Sequence, residues 1–238
     1  MGRIIASGNI KGGTGKSTVA LNAGCAFAAR GWRAVVIDID PQGSATAWSR
    51  LGHAPIEVAA EPLLDLRGPG RWHARAMELA RSRDVVIIDL PPLVTSVIAS
   101  ACLLADLVVV PVTPSAIDVP PTEETLRLIR TARASQRGGR PKALLVPNKV
   151  DRRGGYDEAT RAAVMGLGER WGPTLHFSLD FVNAFAAGGW VGGHAPDSQA
   201  AAEIEALVLR LEKVLGLAPP PEGSQAGAPP ASGVAPAG

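Results

Sequence analysis

Asn9-Ile10-Lys11-Gly12-Gly13-Thr14-Gly15-Lys16-Ser17-Thr18 is the stretch that decides the fold. Before it, Arg3–Asn9 reads as a buried strand. After it, Lys16–Arg30 carries Val19, Ala20, Ala23 and Phe27 at helical spacing, which predicts a helix ended by Gly31. A glycine-rich turn between a strand and a helix lets backbone N–H groups converge on phosphate oxygens, and the helix N-terminus adds its positive end. Gly12, Gly13, Thr14, Gly15, Lys16, Ser17 and Thr18 are therefore the expected cradle of a nucleotide. Lys16 is expected on the β- and γ-phosphates and the Ser17 hydroxyl on Mg²⁺. The spacing departs from the common G-x-x-x-x-G-K-[ST] form, because Ile10 stands where the first glycine would be. A second lysine, Lys11, opens the loop, and one lysine already serves the phosphates.

Outward from the loop, apolar strands alternate with helices. Strands are expected at Ala34–Asp38, Asp84–Leu90, Asp106–Val112, Lys142–Pro147 and Thr174–Leu179, with a weak one near Ile56–Val58. Helices are expected over a short stretch ending near Arg50, and at Arg71–Ser82, Glu123–Gln136, Tyr156–Trp171 and Ser198–Leu215. Strands apolar along their whole length imply a parallel sheet covered on both faces. The expected fold class is α/β: one doubly wound domain over residues 1–217 with a central, mostly parallel sheet. Residues 218–238 are Pro, Ala, Gly and Ser with few others, a composition with nothing to pack, and are expected to be a disordered tail.

Lys11–Thr18 resembles the deviant Walker A motif of the ParA/MinD family. Asp38-Ile39-Asp40-Pro41-Gln42-Gly43-Ser44 is similar to that family's second motif, and Val85–Pro92 to its Walker B strand. Thr46–Ser49 and Asp106–Asp118 look most like its short, ParF-like plasmid-partition ATPases. The resemblance spans about residues 3–216. It implies ATP and Mg²⁺ as cofactors and weak intrinsic ATP hydrolysis. It makes Lys11 a signature lysine that crosses an ATP-dependent homodimer to the partner's nucleotide, and Asp40 the group that orients the attacking water. Lys11, Lys16 and Asp40 are thus the implied catalytic residues; Ser17, Asp40 and Asp89 the metal side; Asn148 a contact to the adenine. Asp38 either supports Lys16 or the Mg²⁺ shell, or only caps a helix. It also implies a partner, a ParB- or ParG-like adaptor, that stimulates hydrolysis. The cargo follows as plasmid or chromosome DNA, or a protein cargo such as carboxysomes or chemotaxis clusters. A nucleotide-dependent binding switch with negligible hydrolysis is the non-enzymatic alternative.

Other signals qualify this reading. Asn148-Lys149-Val150-Asp151 matches the Asn-Lys-x-Asp pattern by which GTPases read guanine, so GTP competes with ATP. Family arginines used for nonspecific DNA binding are missing from 181–199, which holds no Lys or Arg. Arg127, Arg130 and Arg133 instead recur at three-residue spacing along one helix side, continued by Arg137, and are the expected DNA contacts. The last helix has an apolar stripe suited to a core and the tail no cationic face, which disfavours membrane binding. Cys25 and Cys102 are the only cysteines and have no metal spacing. With a net charge of +2, 46 % apolar residues and no signal peptide or membrane span, the chain is expected to be cytoplasmic and nucleoid-associated. The run Gly188–Gly193 suggests either a nucleotide-side loop or a flexible connection.

Overall fold

The computed structural model describes residues 1–63, 70–136, 138–154, 158–218 and 220. Among these residues eight strands form the sheet: β1 (Arg3–Ser7), β2 (Ala34–Asp38), β3 (Glu57–Ala60), β4 (Val85–Asp89), β5 (Leu107–Val112), β6 (Lys142–Val150), β7 (Arg170–Trp171) and β8 (Leu175–His176). Their order is β3-β2-β4-β1-β5-β6-β7, with β8 also on β6, and every pairing is parallel. The helices are α1 (Lys16–Ala29), α2 (Ser44–Ser49), α3 (Gly70–Ser82), α4 (Thr95–Leu104), α5 (Val119–Ser135), α6 (Glu158–Met165), α7 (Leu179–Ala186), α8 (Val191–His194) and α9 (Gln199–Leu215). This is a single α/β domain with a central parallel sheet, as expected from the sequence.

Strand alternation explains why both faces are covered. Along β1, Ile5 packs under α1 and α9, while Ile4 and Ala6 pack under α3, α4 and α5; Ile87 and Ile88 of β4 divide the same way. The apolar stripe of α9 (Ile204, Leu207, Val208, Leu211 and Leu215) closes the first layer. Cys25 and Cys102 are buried in opposite layers, which leaves them as packing residues with thiols pushed up by burial.

Several boundaries differ from the sequence expectation, each for a local reason. α5 starts at Val119 rather than Glu123, because Pro120 and Pro121 fall in its first turn, where no N–H is needed. The helix expected at Tyr156–Trp171 is shorter: glycines at 166 and 168 follow α6, and Arg170–Trp171 joins the sheet instead. Tyr156 itself lies outside the described residues, as do Arg137 and, apart from Ala218 and Pro220, the expected tail. The strand expected at Thr174–Leu179 is only Leu175–His176. Ser178 then accepts a hydrogen bond from the Asp180 amide and caps α7, which the sequence reading missed. A second missed segment, α4, is nearly apolar all round and so has no helical period to read.

Candidate functional site

Strands β1, β2 and β4 all end at one edge of the sheet, with Ser7, Asp38 and Asp89 in register. The glycine-rich loop leaves β1 there, so a loop N-terminal to α1 faces the carboxylate ending the adjacent β4 and, one strand further, that ending β2. This is the edge where open α/β sheets hold ligands. Ser7 Oγ donates to the Lys16 carbonyl (3.0 Å), and Asn9 threads its amide between Pro111 O (2.9 Å) and Thr122 Oγ1 (3.2 Å). These bonds fix the two ends of the loop to the sheet.

Lys16 is buried, and its ammonium donates to Lys11 O at 3.2 Å. Burial lowers its proton affinity, while the charges of Asp89 and Asp40 oppose that. Asp89 is fully buried, and no hydrogen bond satisfies either of its carboxylate oxygens. Burial pushes its carboxyl up to about 7; the nearby Ser17 hydroxyl favours the charged form, Asp38 and Asp40 disfavour it, and Lys16 favours it weakly. Unsatisfied buried carboxylate oxygens are costly unless an ion or its water shell meets them. The donor set here, a carboxylate and a hydroxyl with oxygen-lined neighbours, suits Mg²⁺, which keeps most of its waters. The residues therefore fit the metal that the sequence implies, with Ser17 and Asp89 on its side. When bound, such an ion neutralises phosphate charge that Lys16 alone leaves uncompensated.

Asp38 and Asp40 separate in role. Asp38 accepts from the Thr46 amide (2.7 Å) and hydroxyl (2.8 Å) and from the Asp40 amide (3.2 Å). Of its two sequence readings, the helix cap is the one with bonds: it fixes the start of α2. Asp40 uses only one oxygen, accepting from Gln42 N at 2.9 Å, and sits at the sheet edge facing Lys16.

The end of β6 closes the loop from the other side. Asn148 Nδ2 donates to Thr14 O (2.7 Å), and Lys149, at φ 56°, donates to Gly13 O (2.8 Å). Gly15 is required here: at φ 92° a Cβ would stand 2.2 Å from Asn148 Nδ2. Asn148 and Lys149 line a cavity of about 330 Å³ that runs from Thr18 beneath α7. Asp151, which would read guanine, is exposed, bonded to the Arg153 amide at 2.7 Å, and is not among the residues lining that cavity.

Lys11 is half-exposed, and its ammonium lies 3.5 Å from the buried Asp118 of the same chain. Asp118 precedes α5 and also accepts from the Thr113 hydroxyl. The sequence reading did not find this partner, which is 107 positions away.

A model of the CobQ/CobB/MinD/ParA nucleotide-binding domain matches residues 5–167. The chain belongs to this family. Among curated relatives of the ParA/MinD family, the carboxysome distribution protein A of Halothiobacillus neapolitanus is 30 % identical over 167 residues, covering 69 % of this chain and 74 % of that protein. The ParA protein of Rhizobium radiobacter is 31 % identical over 130 residues, and there the match spans 53 % of this chain and 55 % of the relative. The MinD of Pyrococcus horikoshii solved with Mg-ADP superposes with a TM-score of 0.72 at 19 % identity, over 91 % of this chain and 98 % of that one. At that identity the likeness concerns the family fold.

The remaining site residues lie elsewhere. Arg127, Arg130 and Arg133 are on α5 as expected, but they are not free cations. Arg127 pairs with Glu124 at 2.6 Å, and Arg130 and Arg133 both reach the buried Glu169, at 3.3 and 3.1 Å. Glu169 arrives from the turn before β7, a long-range contact that spacing along one helix cannot reveal. The glycine run 188–193 also has a structural account. Gly189 O accepts from Trp48 Nε1 at 2.8 Å, and a Cβ on Gly192 would stand 2.3 Å from the Trp190 ring. Among the described residues no helix is long and apolar enough to cross a membrane.

Proposed function

We propose that this chain is a ParA-like positioning ATPase that binds Mg-ATP, dimerises on it and hydrolyses it slowly until a partner protein stimulates turnover. The observation that carries the reading is the convergence of Lys16, Asp40 and the unsatisfied Asp89 on one glycine-rich loop. Positioning and charge stabilisation are most of what phosphoryl transfer requires. Lys16 holds phosphate charge, Ser17 and Asp89 hold the metal side, and Asp40, with an oxygen to spare, orients water. Lys11 reaches the second subunit's nucleotide. Asn148 meets the base, and ATP is the substrate because Asp151 stands away from the cavity wall. Competition binding tests this directly: ATP is expected to outcompete GTP by at least about tenfold, a difference of ~1.4 kcal/mol. Equal or tighter GTP binding would remove ATP as the substrate.

The proposed cargo is plasmid or chromosome DNA, with an adaptor of the ParB or ParG kind as the stimulating partner and a place on the nucleoid in the cytoplasm. Nonspecific DNA contact is assigned to Arg127, Arg130 and Arg133, two of which must share or leave Glu169 to meet phosphate. Binding is expected to require ATP, because a dimer presents two stripes at once, and to weaken steeply with salt. The Arg127→Glu, Arg130→Glu double variant should lose gel-shift affinity for unrelated duplexes by at least about tenfold while still dimerising; that change places two like charges near the backbone. Wild-type affinity in that variant would put the DNA site elsewhere. A protein cargo is the second reading. It is favoured by the Glu169 pairing, which leaves the stripe less basic, and by the relative named for carboxysome distribution. Absence of DNA binding by the wild type at low salt with ATP would select it.

A further inference from the structure

Selectivity among purines is decided at the edge of the base, because every base offers the same kind of face for stacking. The cavity beside the loop has the rings of Phe181 and Phe185 in its wall, so the polar side chains there decide which edge is accepted. Most of them are already committed. Lys149 Nζ donates to Gly13 O, and Trp48 Nε1 donates to Gly189 O. Asn22 donates to Thr18 O (2.9 Å) and accepts from the Val191 amide (2.9 Å). Ser178 Oγ donates to Asp180 Oδ2 (2.8 Å) and accepts from the Asp180 amide (3.1 Å). The Thr18 hydroxyl donates or accepts by rotating, and so favours no base.

Asn148 and His176 are left, and each presents an acceptor. Asn148 spends Nδ2 on Thr14 O, and its Oδ1 has no protein partner among the described residues. His176 lies on β8, in register with Val150 of β6, and lines the same cavity. Its ring Nδ1 stands 2.6 Å from Oε1 of the buried Glu203 in α9. Its backbone amide donates to Oε2 of that carboxylate at 2.9 Å. A carboxylate only accepts, so the ring proton is on Nδ1, and the neutral ring leaves Nε2 as an acceptor. Among the described residues Nε2 has no protein partner. Arg152, 3.9 Å from Glu203 Oε1, already supplies that carboxylate with a cation.

We propose that His176 is a specificity-determining residue, accepting a hydrogen bond from the 6-amino group of adenine, with Glu203 as the positioning residue that fixes its tautomer. The proposal rests on the ATP reading above and deepens it. A 6-amino group has two hydrogens, and Asn148 Oδ1 and His176 Nε2 offer an acceptor to each. A 6-oxo purine sets its own lone pairs against both, which leaves acceptors unpaired on each side.

The test measures binding of three Mg-nucleotides to the full chain at about pH 8, where an ordinary imidazole is neutral. They are ATP, purine riboside triphosphate, which has hydrogen in place of the amine, and inosine triphosphate, which has a 6-oxo group. The wild type is expected to bind ATP most tightly. His176→Phe keeps a ring beside α9 and removes the acceptor. Its preference for ATP over purine riboside triphosphate should fall about threefold to tenfold, the worth of one hydrogen bond. Glu203→Gln reverses the polarity of the ring. The His176 backbone amide can only donate, so it claims the new side chain's oxygen; the NH₂ group then faces Nδ1 and drives the ring proton to Nε2. Inosine triphosphate should gain at least about threefold on ATP in this variant, again one hydrogen bond's worth. A pair that only packs α9 against β8 would weaken all three nucleotides alike. Unchanged ratios in Glu203→Gln, or in a folded His176→Phe, would therefore overturn the proposal and leave the ATP reading standing. A wild type that prefers inosine triphosphate would overturn the ATP reading and the proposal with it.

Discussion

Replacing Asp40 by alanine is expected to slow phosphate release by about 10²–10⁴-fold, the range spanned by loss of a positioned proton acceptor, while Mg-ATP still binds. The reason is a division of labour among three carboxylates within a few residues of the strand ends. Asp38 has both oxygens occupied by α2 and the following amide, so it is a structural anchor. Asp89 is enclosed and unsatisfied, as a metal-side residue would be before its ion arrives. Asp40 keeps one oxygen outside the local hydrogen bonds and, though buried, has its charge facing Lys16. Its loss removes one turn contact, to Gln42 N, so Asp40→Asn serves as the control: the turn is retained and the basic oxygen is not. Both variants should be slow if Asp40 orients water. Single-turnover phosphate release at saturating Mg-ATP separates this from a binding defect. Wild-type rates in Asp40→Asn would take Asp40 out of the chemistry.

Lys11→Ala is expected to bind Mg-ATP with near wild-type affinity and to remain monomeric where the wild type dimerises. Truncating one member of a buried, hydrogen-bonded charge pair at an interface costs on the order of 2–5 kcal/mol, which weakens the dimer roughly 30-fold or more. The structure adds a competing term. In the isolated chain Lys11 already faces Asp118, a carboxylate that is itself buried. A lysine that crosses to another subunit leaves that carboxylate behind, and an unpaired buried carboxylate is unfavourable. Asp118→Asn should therefore tighten the ATP-dependent dimer, and Lys11→Ala, Asp118→Asn should be as monomeric as Lys11→Ala. Sedimentation with ATP reads all three. An Lys11→Ala dimer of wild-type affinity would sink the role of this lysine in trans.

The nucleotide side of the molecule was legible because its logic is local. A strand, a glycine-rich turn and a helix are contiguous in sequence; Asp38 and Asp89 each end a strand, and Asp40 follows Asp38 by two residues. The sheet was legible because its strands are apolar throughout, and only a parallel, doubly covered sheet buries both faces. What escaped was long-range or aperiodic. Glu169 reaches Arg130 and Arg133 across 39 and 36 residues, and no helix-face argument contains it. Asp118 meets Lys11 only because α5 packs beside β5. α4 lacks an amphipathic period, so nothing distinguishes it from loop or strand. The cap of α7 was readable, since Ser178 followed by Asp180 is a helix-start signal, but the apolar run around it favoured extending the strand.

The edges of the sheet carry a further consequence. On one side the last strand has four residues, and Glu57 within it is paired with Arg83. On the other, two strands of two residues each share the length of β6. Among the described residues, neither border offers a long unpaired ladder on which a second copy could continue hydrogen bonding, the ordinary route to fibres and to uncontrolled pairing. Under the proposed function, self-association instead runs through the loop face. There Lys11 is engaged at home, paired with Asp118 of its own chain, until a nucleotide offers it a competing anion. Crowding many copies together would then raise the frequency of encounters without lengthening their lifetime, and the oligomeric state would report the supply of a small anion rather than the abundance of the protein.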